Sequence, residues 1–88
     1  MELSSKHQKT LRAIFEDPAR ADIEWTAVEN LLLALGADLS EGRGSRVRVY
    51  LQGVRAVFHR PHPQKETEKG TLKSVGRFLT EAGVQLEE

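Results

Sequence analysis

The sequence contains no cysteine. That absence removes a disulfide framework, a thiolate metal site and a cysteine nucleophile together, and it fits a reducing, intracellular setting. No apolar run approaches the ~18 residues of a membrane span. The polar start, Met1-Glu2-Leu3-Ser4-Ser5-Lys6-His7, lacks a signal peptide's apolar stretch, so a cytoplasmic location with no membrane partner is expected. Internal repeats, low-complexity tracts and domain-separating linkers are also missing. The 88 residues therefore read as a single domain, 1–88. A chain of that size buries only about 60–65% of its unfolded surface. It leaves no room for a cofactor subdomain, and no cofactor is expected.

Net charge is absent too, with 13 Lys and Arg against 13 Asp and Glu. The distribution, however, is uneven. Residues 1–41 carry four basic and eight acidic side chains, a balance of −4. Residues 42–65 carry Arg43, Arg46, Arg48, Arg55, Arg60 and Lys65 and no acid, which is +6. Residues 66–88 hold three bases and five acids, which is −2. The partner class depends on whether folding gathers or scatters the central charge.

Local patterns predict the elements. His7, Leu11, Ile14 and Phe15 recur at helical spacing after Ser4 and Ser5 as caps, and Asp17-Pro18 stops that helix. Thr26-Ala27-Val28-Glu29 reads as a capping box ahead of the stripe Val28, Leu31, Leu32 and Leu35, closed by Gly36. Ala37 to Glu41 reads as a short first strand that turns at Gly42-Arg43-Gly44. Arg46 to Leu51 and Val54 to His59 alternate with period two around Gln52-Gly53. Pro61 to Lys69 reads as a loop, and Leu72, Val75, Leu79 and Ala82 as a last helix closed by Gly83, with Gly76 unfavourable inside it.

A two-residue loop at Gln52-Gly53 sets the hairpin register, because Leu51 must then face Val54. Outward from there Tyr50 pairs with Arg55, Arg48 with Val57 and Arg46 with His59. Val47, Val49, Leu51, Val54, Ala56 and Phe58 form the apolar face, under helices supplied by the two acidic blocks. Arg46, Arg48, Tyr50, Arg55, Val57 and His59 share the solvent face, with Arg43, Arg60 and His62 near its ends. A slip of one residue would bury three arginines at several kcal/mol each. Solvent faces of antiparallel sheets are often polar, but they usually mix signs, since like charges across strands repel. A single-sign arginine face points to a polyanion, with Tyr50 placed to stack on an unpaired base. An acidic protein surface would satisfy the same arginines.

His59 beside Arg46 supplies what a metal-free ribonuclease needs, a base for the 2′-hydroxyl next to cations for the phosphorane. His62 follows three residues later, in Phe58-His59-Arg60-Pro61-His62-Pro63. As a metal site this pair lacks a helix and further ligands, and no metal is expected. Polar loop histidines that contact phosphate or backbone are the plainer reading of both. Trp25 reads as a core lid, His7 as a half-solvated helix residue, and Ser45 has no base-and-orienter pair for a nucleophile.

The run Val28-Glu29-Asn30-Leu31-Leu32-Leu33-Ala34-Leu35-Gly36-Ala37, then Gly42-Arg43-Gly44-Ser45, two strands, and Lys69-Gly70-Thr71-Leu72 opening a helix that ends Glu81-Ala82-Gly83-Val84, resembles the HicA toxins. The resemblance covers roughly residues 23–84. It implies an α+β fold like the double-stranded-RNA-binding domain: helix, three-stranded antiparallel sheet, helix, over residues 21–88, with an extra N-terminal helix in residues 1–20. It also implies an mRNA interferase, an endoribonuclease acting on mRNA and inhibited by a HicB-type antitoxin. Arg43, Ser45, Arg46, Arg48, Tyr50, Arg55 and Arg60 are the expected RNA-binding set, and His59 and then His62 the catalytic candidates. One position departs from the family. The histidine of its Gly-Ser-His step is replaced in Gly44-Ser45-Arg46, and arginine stays protonated and cannot act as a base. Either His59 takes the acid–base role, or the chain is a non-catalytic module that binds RNA or an acidic protein.

Overall fold

A computed structural model of the chain describes residues 3–20 and 22–86; the polar start at Met1-Glu2 and the acids Glu87 and Glu88 of the charge count lie outside them. The elements run α1 (Ser5–Phe15), α2 (Trp25–Ala34), β1 (Asp38–Glu41), β2 (Arg46–Leu51), β3 (Val54–His59) and α3 (Lys69–Glu81). The strands form one antiparallel sheet in the order β1-β2-β3. Packing of α2 against β1 and of α3 against β3 leaves the opposite sheet face open, while α1 packs on α2 and α3. This is the α+β order of a double-stranded-RNA-binding domain preceded by one more helix. Among the described residues no helix is long and apolar enough to cross a membrane.

The hairpin register matches the expected one at every pair, from Leu51↔Val54 to Arg46↔His59. The reason lies in the turn: Gln52 and Gly53 both take positive φ, 50° and 81°. Two successive left-handed residues make the two-residue turn whose twist matches the strands. Val47, Val49, Leu51 and Phe58 are buried beneath the helices, with Val54 and Ala56 partly covered. Phe58 joins the sheet to both flanks, its ring edge-on to Trp25 at 6.1 Å and to Phe78 at 5.9 Å between centroids. Trp25 is thus a core residue, as its position ahead of the apolar stripe suggested.

The N-terminal helix is capped as read, with the Ser4 hydroxyl accepting from the His7 amide. Three other expectations are corrected. The capping box does not form: α2 starts two residues earlier, at Trp25, its N-cap is Glu24, and no side chain caps it. Glu29 is drawn instead to Trp25 and Arg60. Ala37 is buried and its amide closes α2 onto the Leu32 carbonyl, so the first strand begins at Asp38. The loop after β3 ends at Glu68, because Lys69 already opens α3. Within that loop Thr67 is buried and its amide donates to the Ile23 carbonyl, while the Trp25 amide donates to the Lys65 carbonyl. The helices do come from the two acidic blocks, as expected, though the acids themselves sit mostly in connections and strand ends. The first helix carries Lys6, Lys9 and Arg12 with no acid, and the third carries Lys69, Lys73 and Arg77 against Glu81 alone.

The interior Gly76 lies where α1 crosses α3. A Cβ there would meet Ile14 Cγ2 at 3.6 Å and Phe15 Cε1 at 3.7 Å, ordinary contact distances. The helix runs through this glycine because tertiary packing outweighs its weak propensity.

Candidate nucleic-acid interface

The open face of the sheet carries the expected residues. Arg46, Arg48 and Tyr50 alternate along β2, and Arg55, Val57 and His59 along β3, all exposed. At one end Arg46 lies opposite His59, beside the β1–β2 loop that holds Arg43 and Ser45. The loop is tied to this end by the Ser45 carbonyl, which accepts from the Arg60 amide at 2.8 Å. At the other end Tyr50 lies opposite Arg55, whose guanidinium stands 5.5 Å from the ring centroid in a cation–π contact. Tyr50 is 43% and Val57 54% exposed, large values for side chains that a folded sheet usually covers. Among the described residues no carboxylate pairs with Arg43, Arg46, Arg48 or Arg55.

Arg60 is different. Its Nε donates to Glu29 at 2.7 Å and its Nη1 to Glu41 at 2.7 Å, and Trp25 Nε1 also donates to Glu29. One guanidinium thereby joins the start of α2, the end of β1 and the exit of β3. The hydrogen bonds to Glu41 and then to Glu29 hold its pKa far above the ordinary arginine value. Arg60 is committed to the fold and stands apart from the unpaired arginines. The hydrogen bond from Arg60 also holds the exposed Glu41 carboxyl below the usual carboxylate range. A carboxylate lowered in the native state contributes stability that is present above its unfolded pKa and lost as pH falls through the native one. The difference in thermal midpoint between wild type and Glu41→Gln should therefore shrink as the solution is acidified through that range. A difference constant down to strong acid would contradict the ion pair.

His59 and His62 line one small cleft of about 190 Å³ together with Arg60, Pro61, Glu68 and Thr71. The turn of the chain at Pro61 therefore brings both imidazoles to the start of α3. Among the described residues no group of three or more His, Cys, Asp or Glu is arranged to hold a metal ion.

Two residues of the face escaped the sequence reading. Asp38 pairs with Tyr50 and Ser40 with Arg48, so β1 adds an acid and a hydroxyl to the arginine face, which is therefore not of a single sign. Asp38, Ser40, Arg48, Tyr50, Arg55 and Val57 border a shallow groove of about 690 Å³. The signal for them was the β1–β2 register, which a four-residue loop, Gly42 to Ser45, leaves ambiguous where a two-residue turn does not.

No curated protein and no solved structure matches the chain. A family model described as the HicA toxin of bacterial toxin–antitoxin matches residues 25–84, from the start of α2 to just past α3. More than half of the chain lies within that match, and the helix–sheet–helix order it spans is the one described above. The chain belongs to the HicA toxin family of bacterial toxin–antitoxin systems.

Proposed function

We propose that this toxin binds RNA through the open sheet face and acts as a metal-independent endoribonuclease on mRNA, held inactive by a HicB-type antitoxin. The observation that carries the reading is the set of unpaired arginines on one face, with His59 opposite Arg46 at its end. Phosphates neutralise such a set, and phosphate contacts position a strand without reading its sequence.

In the proposed reaction His59 accepts the 2′-hydroxyl proton, and the 2′-oxygen attacks the adjacent phosphorus. The bond to the 5′-oxygen breaks, and that oxygen takes a proton from His62, which shares the cleft. The products are a 2′,3′-cyclic phosphate and a 5′-hydroxyl. Arg46, permanently charged, stabilises the phosphorane and cannot serve as base.

The test is cleavage of mRNA by the purified protein in EDTA, with the new ends identified, and RNA affinity measured against salt. Neutralising both Arg48 and Arg55 should weaken binding and flatten the log–log salt slope by about 1.4, at ~0.7 per phosphate contact on a single strand. An affinity indifferent to salt would contradict phosphate contacts. A second reading, a binding module without catalysis, is favoured by Arg46 standing where the family histidine is expected. Salt-dependent binding with no cleavage at any protein concentration would select it.

A further inference from the structure

The groove on the sheet face contains a group that phosphate binding does not use. Asp38 stands opposite Tyr50 at the edge of an otherwise cationic surface, and among the described residues no side chain hydrogen-bonds to or pairs with its carboxylate. A carboxylate in the path of a polyanion repels phosphate, so its place beside an exposed aromatic ring suits a hydrogen-bond donor presented by a base. The ring offers a stacking surface, extended by the Arg55 guanidinium lying over it. Two carboxylate oxygens accept two parallel N–H groups. Guanine is the RNA base whose Watson–Crick edge places two donors, N1–H and the 2-amino group, side by side. Adenine and cytosine set an acceptor beside their amino group, and uracil has a single donor between carbonyls.

Resting on the reading of this face as an RNA surface, we propose that the groove bordered by Asp38, Tyr50 and Arg55 binds an unpaired guanine. The base stacks on the Tyr50–Arg55 pair and its donor edge is accepted by Asp38. Arg48, opposite Ser40 in the middle of the face, remains for the phosphate. Tyr50 and Arg46 are four positions apart along β2, about 13 Å at ~3.3 Å per residue. The guanine is thus held on the same strand as the scissile bond but away from it, and it directs where cleavage falls.

The probe is a set of short, labelled single-stranded oligonucleotides with 2′-fluoro sugars, which lack the attacking hydroxyl and allow binding to be measured on the wild-type protein. One carries guanine in a uracil background, and the second carries inosine at the same positions, lacking only the 2-amino group. The guanine oligonucleotide should bind about 10-fold more tightly, the scale of one well-made base contact. Asp38→Asn, which replaces one acceptor by a donor, should bring the guanine-to-inosine affinity ratio down to about one, whatever the loss of the negative charge does to both affinities together. Equal, salt-dependent binding of both oligonucleotides by wild type would overturn the guanine site while leaving the RNA surface standing. A uniform loss for both in Asp38→Asn would also overturn it. Failure of every oligonucleotide to bind at any salt would overturn the RNA surface itself, and the guanine site with it.

Discussion

Replacing His59 with alanine should lower RNA cleavage by about 10²–10⁴-fold, the usual contribution of a positioned acid–base group. RNA affinity should fall only a few-fold, because Arg46, Arg48 and Arg55 remain on the face. The side chain is exposed at the last residue of β3, so its removal leaves the core and the hairpin register untouched. A loss of cleavage without a loss of binding is thus the signature of chemistry rather than of unfolding. His62→Ala should lower cleavage less, since a leaving 5′-oxygen can also be protonated by water. Cleavage that survives His59→Ala unchanged would remove this residue from the mechanism. Attention would then turn to the arginine that occupies the family's histidine position.

Replacing Glu29 with alanine should destabilise the fold by about 2–3 kcal/mol, the cost of removing a charged acceptor and leaving partly buried donors unmet. For a domain of this size that corresponds to a fall in thermal midpoint of roughly 10–20 °C. Two donors lose their partner at once, the Arg60 guanidinium and the Trp25 indole, and Trp25 is buried in the core. Arg60 keeps only the more exposed Glu41. Glu29→Gln should cost less, because an amide oxygen still accepts from one of the two. Thermal melts of wild type, Glu29→Ala and Glu29→Gln check the order. A change below ~0.5 kcal/mol in both variants would mean that water replaces the carboxylate at no cost.

Glu29 also marks the boundary of what the residues revealed before the fold was known. Local signals were legible wherever the physics is local. The dipeptide Gln52-Gly53 specifies a turn, the turn specifies a register, and the register separates arginines from valines without any long-range knowledge. The stripe Val28, Leu31 and Leu32 and the stop at Pro18 are local in the same sense. Thr26 and Glu29 have the spacing of a capping box, yet the Glu29 carboxylate accepts from the Trp25 indole and from Arg60, 31 residues away. Tertiary ion pairs of that separation leave no trace in a short window of sequence. The same applies to Asp38, whose presence on the arginine face follows from how β1 docks on β2 and not from its own neighbours. Arg60 was grouped with the free arginines for a related reason. Counting charge along the chain treats all arginines alike, and only the fold distinguishes one held by two carboxylates from those left to solvent.

The family match opens at residue 25, whereas the hydrophobic core already includes Leu11 and Ile14. The span of the family match and the unit of folding therefore have different edges in this protein. Cut at the family boundary, the chain would retain the whole sheet face and both covering helices but lose the wedge that touches α2 and α3 together. Leucine and valine positions now dry would meet water at that seam. The first helix lies outside the matched span and acts as a keystone, closing the core from a position that touches α2 and α3 at once.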